Sequence, residues 1–119
     1  MRLTLATAVF AALVAAMPAT AAAPGRLQVT ALEFQYRLSR PQLRSGRWSI
    51  IELVNLGQDE HDLTLQRVGG TKMYRLPKAL PGQRQIINLR LKPGAYKLSC
   101  SLADHAALGM RATLRVRRR

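Results

Sequence analysis

Residues 96–116, "YKLSCSLADHAALGMRATLRV", decide how this chain folds. Side chains on a strand alternate between two faces, so residues of equal parity share one. Over 96–100, Tyr96, Leu98 and Cys100 fall on an apolar face, and Lys97 and Ser99 fall opposite. Over 110–117, Met110, Ala112, Leu114 and Val116 point inward, while Arg111, Arg115 and Arg117 point to water. Two half-buried strands therefore enclose a short loop that holds His105. Residues 100–110 contain the only cysteine of the chain, one of its two histidines and one of its four methionines.

Upstream the same period recurs between turn signals, without a helical repeat. "RLQVTALEFQYRLS" (26–39) alternates as Leu27, Val29 and Ala31, then as Phe34, Tyr36 and Leu38. The change of parity near Ala31-Leu32 predicts a bulge or bend. "RWSIIELVN" (47–55) is a β-branched and aromatic run expected in the core, Trp48 included. "HDLTL" (61–65) places His61, Leu63 and Leu65 together, with Asp62 and Thr64 opposite. "KMYRLPKALPGQ" (72–83), broken by Pro77 and Pro81, reads as irregular. "RQIINLRL", the turn "KPGA" and "YKLSC" read as a hairpin. Six to eight such strands at roughly ten-residue spacing predict an all-β fold, a Greek-key sandwich or barrel.

The chain has 119 residues, enough for one core. Its start, "MRLTLATAVFAALVAAMPATAAAPG", orders a basic residue, an apolar run from Leu3 to Met17 and small residues. That is the order of a secretory signal. Residues 1–23 are expected to be that signal, cleaved near Ala21 to Ala23, which leaves 24–119 as one domain. No other stretch approaches spanning length, so the mature chain is expected to be a periplasmic or otherwise exported monomer with no membrane span. In an oxidising compartment a single Cys100 has no internal disulfide partner. It must be buried, paired with another molecule, or held by a metal.

Charge is lopsided. Nineteen Lys and Arg, fifteen of them Arg, stand against six Asp and Glu, a net of +13. Such a balance attracts acidic surfaces. Export and the lack of interleaved aromatics argue against nucleic acid.

His61, Cys100 and Met110 each sit at the end of a strand on its inward face, and His105 lies in the loop between two of those strands. All four can meet at one end of a sandwich. A thiolate, two imidazoles and a thioether are the donor set of a blue copper site, a trigonal His2Cys plane with a weak axial Met. Zinc would accept the first three but gains little from a thioether.

"CSLADHAALGMRATLRV", with "VNLGQDEHDLTL" and "LKPGAYKLSC", resembles the cupredoxins, small blue copper proteins of the plastocyanin and sulfocyanin type. The resemblance implies one type 1 copper ion cycling between Cu(I) and Cu(II), with His61, Cys100, His105 and Met110 as ligands. Asn55 and Gly57 match the family's "N-x-G" loop before the first histidine. Four positions depart from the family: Ala103-Asp104 replaces a common Pro-Gly, Ala112 a common Gly, and Asp62 a common Asn.

Both histidines are used by this one site, so none remains for a second copper or a Ser–His–Asp triad. The expected function is one-electron transport rather than catalysis. The resemblance places His105 at the surface, beside an apolar landing area of Ala106, Ala107, Leu108, Gly109 and Leu56. There an acidic redox partner, a cytochrome or an oxidase domain, would dock. The alternative is copper handling, as a chaperone or buffer, which favours open Met- or His-rich sites that this chain lacks.

Overall fold

The computed structural model describes residues 6–19 and 23–118. Residues 6–19 are exposed and form neither helix nor strand. Of the expected cleavage region, Ala21 and Ala22 lie outside the described residues. Among the described residues no helix is long and apolar enough to cross a membrane.

Nine strands follow: β1 (Gly25–Leu32), β2 (Gln35–Leu38), β3 (Gln42–Arg44), β4 (Trp48–Asn55), β5 (His61–Arg67), β6 (Met73–Ala79), β7 (Arg84–Arg90), β8 (Gly94–Ser99) and β9 (Arg111–Arg117). They form two sheets, ordered β2-β1-β4-β7 and β3-β9-β8-β5-β6. The core lies between them. Leu27, Val29, Ile51 and Leu53 of the first sheet face Leu63, Leu65, Tyr96, Leu98 and Leu114 of the second. Among the described residues every strand and every residue of the core cluster falls between Gly25 and Arg117, so this span builds the sandwich by itself.

The all-β sandwich is as expected, with one strand more than the six to eight anticipated. The parity break near Ala31-Leu32 is a tight reversal: β2 folds back on β1, pairing Ala31 with Tyr36 and Val29 with Leu38. Residues 72–83 are irregular only in their last part, the turn at 80–83. Their first half is β6, an edge strand, where Pro77 costs no ladder bond because it lies opposite a register shift between His61 and Leu63.

Two further expectations are corrected. Trp48 is 53% exposed, because Ser49, Ile51 and Leu53 take the inward face of β4. The "KPGA" turn joins no hairpin. β7 pairs with β4, whereas β8 pairs with β5 and β9, so Lys92–Gly94 carries the chain from one sheet to the other. Tyr96 Oη donates to Lys92 O at 2.9 Å and Arg67 Nε to Pro93 O at 2.8 Å, which anchors that crossing.

Candidate metal centre

β5 begins with His61, β8 ends one residue before Cys100, and β9 begins one residue after Met110. One end of the sandwich therefore receives all four side chains singled out in the sequence. The Nδ1 or Nε2 atoms of His61 and His105 and the Sγ of Cys100 lie within 4.8 Å of one another, and all three residues are buried. Cys100 Sγ and His105 Nδ1 are 3.5 Å apart. The two imidazole centroids are 5.0 Å apart.

The fourth residue, Met110, is fully buried and tied to the same loop through its backbone. Its amide donates to His105 O at 3.0 Å, and its carbonyl accepts from Cys100 N at 3.2 Å. The amides of His105, Leu108 and Gly109 close further turns on Leu102, Asp104 and Ala106. Ala103 adopts a left-handed φ of 44°, the position where a glycine is the easier fit. Gly109, at φ 120°, brings the loop so close that a Cβ would stand 3.1 Å from Phe34 O.

The surroundings of the His61 ring test whether these donors suit a metal. His61 is completely buried, yet its Nδ1 has no hydrogen-bond partner. A buried polar atom left alone costs on the order of 1–3 kcal/mol. Its other nitrogen, Nε2, lies 3.2 Å from Glu33 Oε1. A ring held on one nitrogen by a carboxylate, with the other nitrogen unpartnered and a thiol and a second imidazole close by, has the hydrogen-bond pattern of metal-ligating histidines. The residues fit a soft metal ion held by two nitrogens and one sulfur.

Glu33 was not anticipated as part of this centre. Its Oε1 accepts from Gln58 N at 2.6 Å and Asp59 N at 2.8 Å as well as meeting His61. The Asp59 amide first, with Gln58 and His61, holds the carboxyl well down, at about 2. Gly57 makes room: a Cβ there would lie 2.3 Å from Glu33 Oε1. Asn55 shapes the same loop, with Nδ2 donating to Asp59 O at 2.7 Å and Ala79 O at 2.8 Å, and Oδ1 accepting from Gly57 N at 2.9 Å.

Asp62 and Thr64, expected to face away from His61, are buried too. Asp62 Oδ1 accepts from Ser101 N at 2.7 Å and Oδ2 from the Ser101 hydroxyl, bracing the 100–110 loop against β5. Thr64 Oγ1 donates to Ser99 O at 3.0 Å. Burial pushes the Cys100 thiol up, and the amides of Asp62 and Leu102, aimed at the sulfur, offset part of that rise. Tyr36, whose hydroxyl donates to Asp62 O, packs beside Cys100, and burial first raises its own titration well beyond the usual phenol range. Neither Glu33 nor Tyr36 carries a local signature. The only hint is the parity break that brings the 33–36 segment round.

His105 is 8% exposed, less open than a surface position implies. Phe34 covers it at 5.0 Å between ring centroids, and Asp59 Oδ2 stands 3.9 Å from its Nε2. Around this edge Leu56 and Leu108 are exposed, at 63% and 52%.

No protein-family model matches the chain, and no curated protein does. Solved structures do. Auracyanin A, a blue copper protein from Chloroflexus aurantiacus, aligns with 80% of this chain and 100% of its own at 14% identity and a TM-score of 0.64. A reduced amicyanin variant aligns over 81% of this chain and 86% of its own, at 20% identity and a TM-score of 0.56. A copper-containing nitrite reductase from Thermus scotoductus aligns with 87% of this chain but 25% of its own, at 24% identity and a TM-score of 0.58. Two sheets of this order, closed at one end by a Cys–His–Met loop, and these neighbours together give the chain the cupredoxin fold.

Proposed function

We propose that the protein is an exported, one-electron carrier with a single type 1 copper ion held by His61, Cys100, His105 and Met110. The observation that carries this reading is the buried cluster in which a ring nitrogen of His61, a ring nitrogen of His105 and the Sγ of Cys100 lie within 4.8 Å of one another, with the His61 Nδ1 left without a hydrogen-bond partner. When bound, copper supplies a one-electron couple between its Cu(I) and Cu(II) states.

The chain's own residues do the rest. Glu33 keeps the His61 ring from turning. The amides of Asp62 and Leu102 spread the charge of the Cys100 thiolate, which must give up its proton on metal binding. The strands and the laced loop hold the donors nearly still through a change of charge, and burial keeps water away. With both histidines of the chain in one cluster, no imidazole is left for a second metal, which favours a carrier over an oxidase or reductase.

The edge of His105 is the proposed port for electrons, with Leu56, Ala106, Ala107, Leu108 and Gly109 as the landing area for a redox partner such as a cytochrome or oxidase domain. The net charge of +13 favours an acidic partner at long range. At contact range Asp59 and Asp104 flank the port, so attraction must come through Lys97 and Arg111 at its sides. Association is expected to slow as salt is added, and a salt-independent rate would remove the steering.

The deciding experiment loads residues 24–119 with Cu(II) and records the visible spectrum and redox cycling. An intense thiolate-to-copper band with reversible cycling supports the carrier. Weak colour with rapid loss of copper to a chelator supports copper handling instead. Failure to bind one equivalent of copper refutes both.

A further inference from the structure

The charges are unevenly placed along the sandwich: acids mixed with a few bases at the metal end, and arginines without acids at the other. Of the six acidic residues, Glu33, Asp59, Glu60, Asp62 and Asp104 gather at the metal end, and Glu52 in mid-strand is paired with Arg84. At the far end, roughly 20 Å along β9 at the usual rise per strand residue, Arg40, Arg44, Arg47, Arg117 and Arg118 line a cavity of about 300 Å³. Among the described residues none of the five is in an ion pair.

Two details mark this as a place for an anion rather than a solvated fringe. Arg44 and Arg117 are direct register partners across the β3–β9 pair, an arrangement that repels unless something negative lies between. The Nε of Arg47 is buried and has no hydrogen-bond partner. Planar guanidinium groups are the preferred partners of phosphate oxygens.

Beside the arginines stands the only tryptophan of the chain. Trp48 follows Arg47, is half exposed, and has the Arg90 guanidinium 5.3 Å from its ring. Pro24 and Ile50 adjoin it in a second shallow cavity. Arginines next to an exposed tryptophan and a half-buried isoleucine form the combination that suits the headgroup layer of a bilayer. In the sequence the apolar run Leu3–Met17 also leads into this end, with seven residues (18–24) between it and Gly25. While that run is attached, it holds this end within about 25 Å of any membrane it enters.

We propose that the arginine end docks on the phosphates of an anionic lipid surface, which leaves the metal end facing away from the membrane. A nucleic acid would meet the same charges but would gain nothing from Ile50 and Pro24, and a lone tryptophan makes a poor stacking platform.

The test is sedimentation of residues 24–119 with vesicles of phosphatidylcholine containing phosphatidylglycerol, against vesicles of phosphatidylcholine alone, while Trp48 emission is followed. Binding to the anionic vesicles only is expected, with a blue shift and protection of Trp48 from acrylamide. Arg44→Gln with Arg117→Gln should weaken binding by on the order of tenfold. A charge-matched control, Arg75→Gln with Lys97→Gln, should retain most of it. Equal loss in both variants, no binding, or a Trp48 that stays fully quenchable on bound protein would overturn the proposal. Displacement by millimolar inorganic phosphate would identify a free-anion site and overturn surface docking. Binding of a single-stranded oligonucleotide more tightly than the anionic vesicles, lost with the same two arginines, would overturn it in favour of nucleic acid.

Discussion

His61 Nε2 lies 3.2 Å from Glu33 Oε1, and that one oxygen also accepts from the amides of Gln58 and Asp59. A single carboxylate atom thus fixes both the ring and the loop that precedes it.

Removing the carboxylate should free the ring. Glu33→Ala is expected to weaken copper binding on the order of tenfold to a hundredfold, measured by competition with a chelator. Unchanged affinity would show that the contact orients nothing. The pH dependence follows from the sign of the shift. Glu33 titrates at about 2 in the fold against 4.5 when free, so its contribution is complete above the free value. It is lost as pH falls through the range from 4.5 to about 2. The denaturation midpoint of metal-free protein should drop less across that range in Glu33→Gln than in the wild type.

Gly57 should act through the same atom. A Cβ there would meet Glu33 Oε1 at 2.3 Å, so Gly57→Ala must push the carboxylate away. Gly57→Ala and Glu33→Ala are expected to be non-additive, with the double variant little worse in copper affinity than the more affected single variant. Simple addition of the two losses would separate glycine and carboxylate.

Asp62 joins the 100–110 loop to β5 through two bonds to Ser101. Asp62→Asn keeps an acceptor for the amide and offers a donor to the hydroxyl, so the fold and the blue colour should survive. The reduction potential should rise, because a negative charge that favours Cu(II) is gone. Asp62→Ala loses both bonds and should cost about 2 kcal/mol or more in unfolding free energy. An unchanged potential in Asp62→Asn would mean that the aspartate is not sensed at the metal.

Cys100→Ser should abolish the thiolate-to-copper band, and Met110→Leu should keep it while raising the potential. Blue colour in the Cys100 variant would refute the assignment of the sulfur ligand. Loss of colour in Met110→Leu, with the protein still folded, would make the thioether more than a weak axial donor.

The sequence was informative where a residue's role depends on neighbours in the chain. Tyr96, Leu98 and Cys100, and then Leu114 and Val116, were legible as one buried face because strand parity is local. His61, Cys100 and His105 were legible together because their chemistry is rare in this chain and the strand ends set their level. Trp48 misled because an aromatic residue in an apolar run does not reveal which parity faces the core. The "KPGA" turn misled because a turn signal says that the chain bends and not which sheet receives it. Glu33 was invisible for a related reason. It stands 28 residues before His61, and only the reversal between β1 and β2 brings the two together.

The segregation of acids from arginines has an electrical consequence for the whole molecule. It gives the sandwich a permanent moment along its long direction, so an external field turns the protein before any contact forms. A negatively polarised electrode would receive it arginines first, with the His61–Cys100–His105 cluster farthest from the conductor. A positively polarised electrode would receive the cluster first, and the two coatings should therefore give unequal voltammetric rates from one and the same protein.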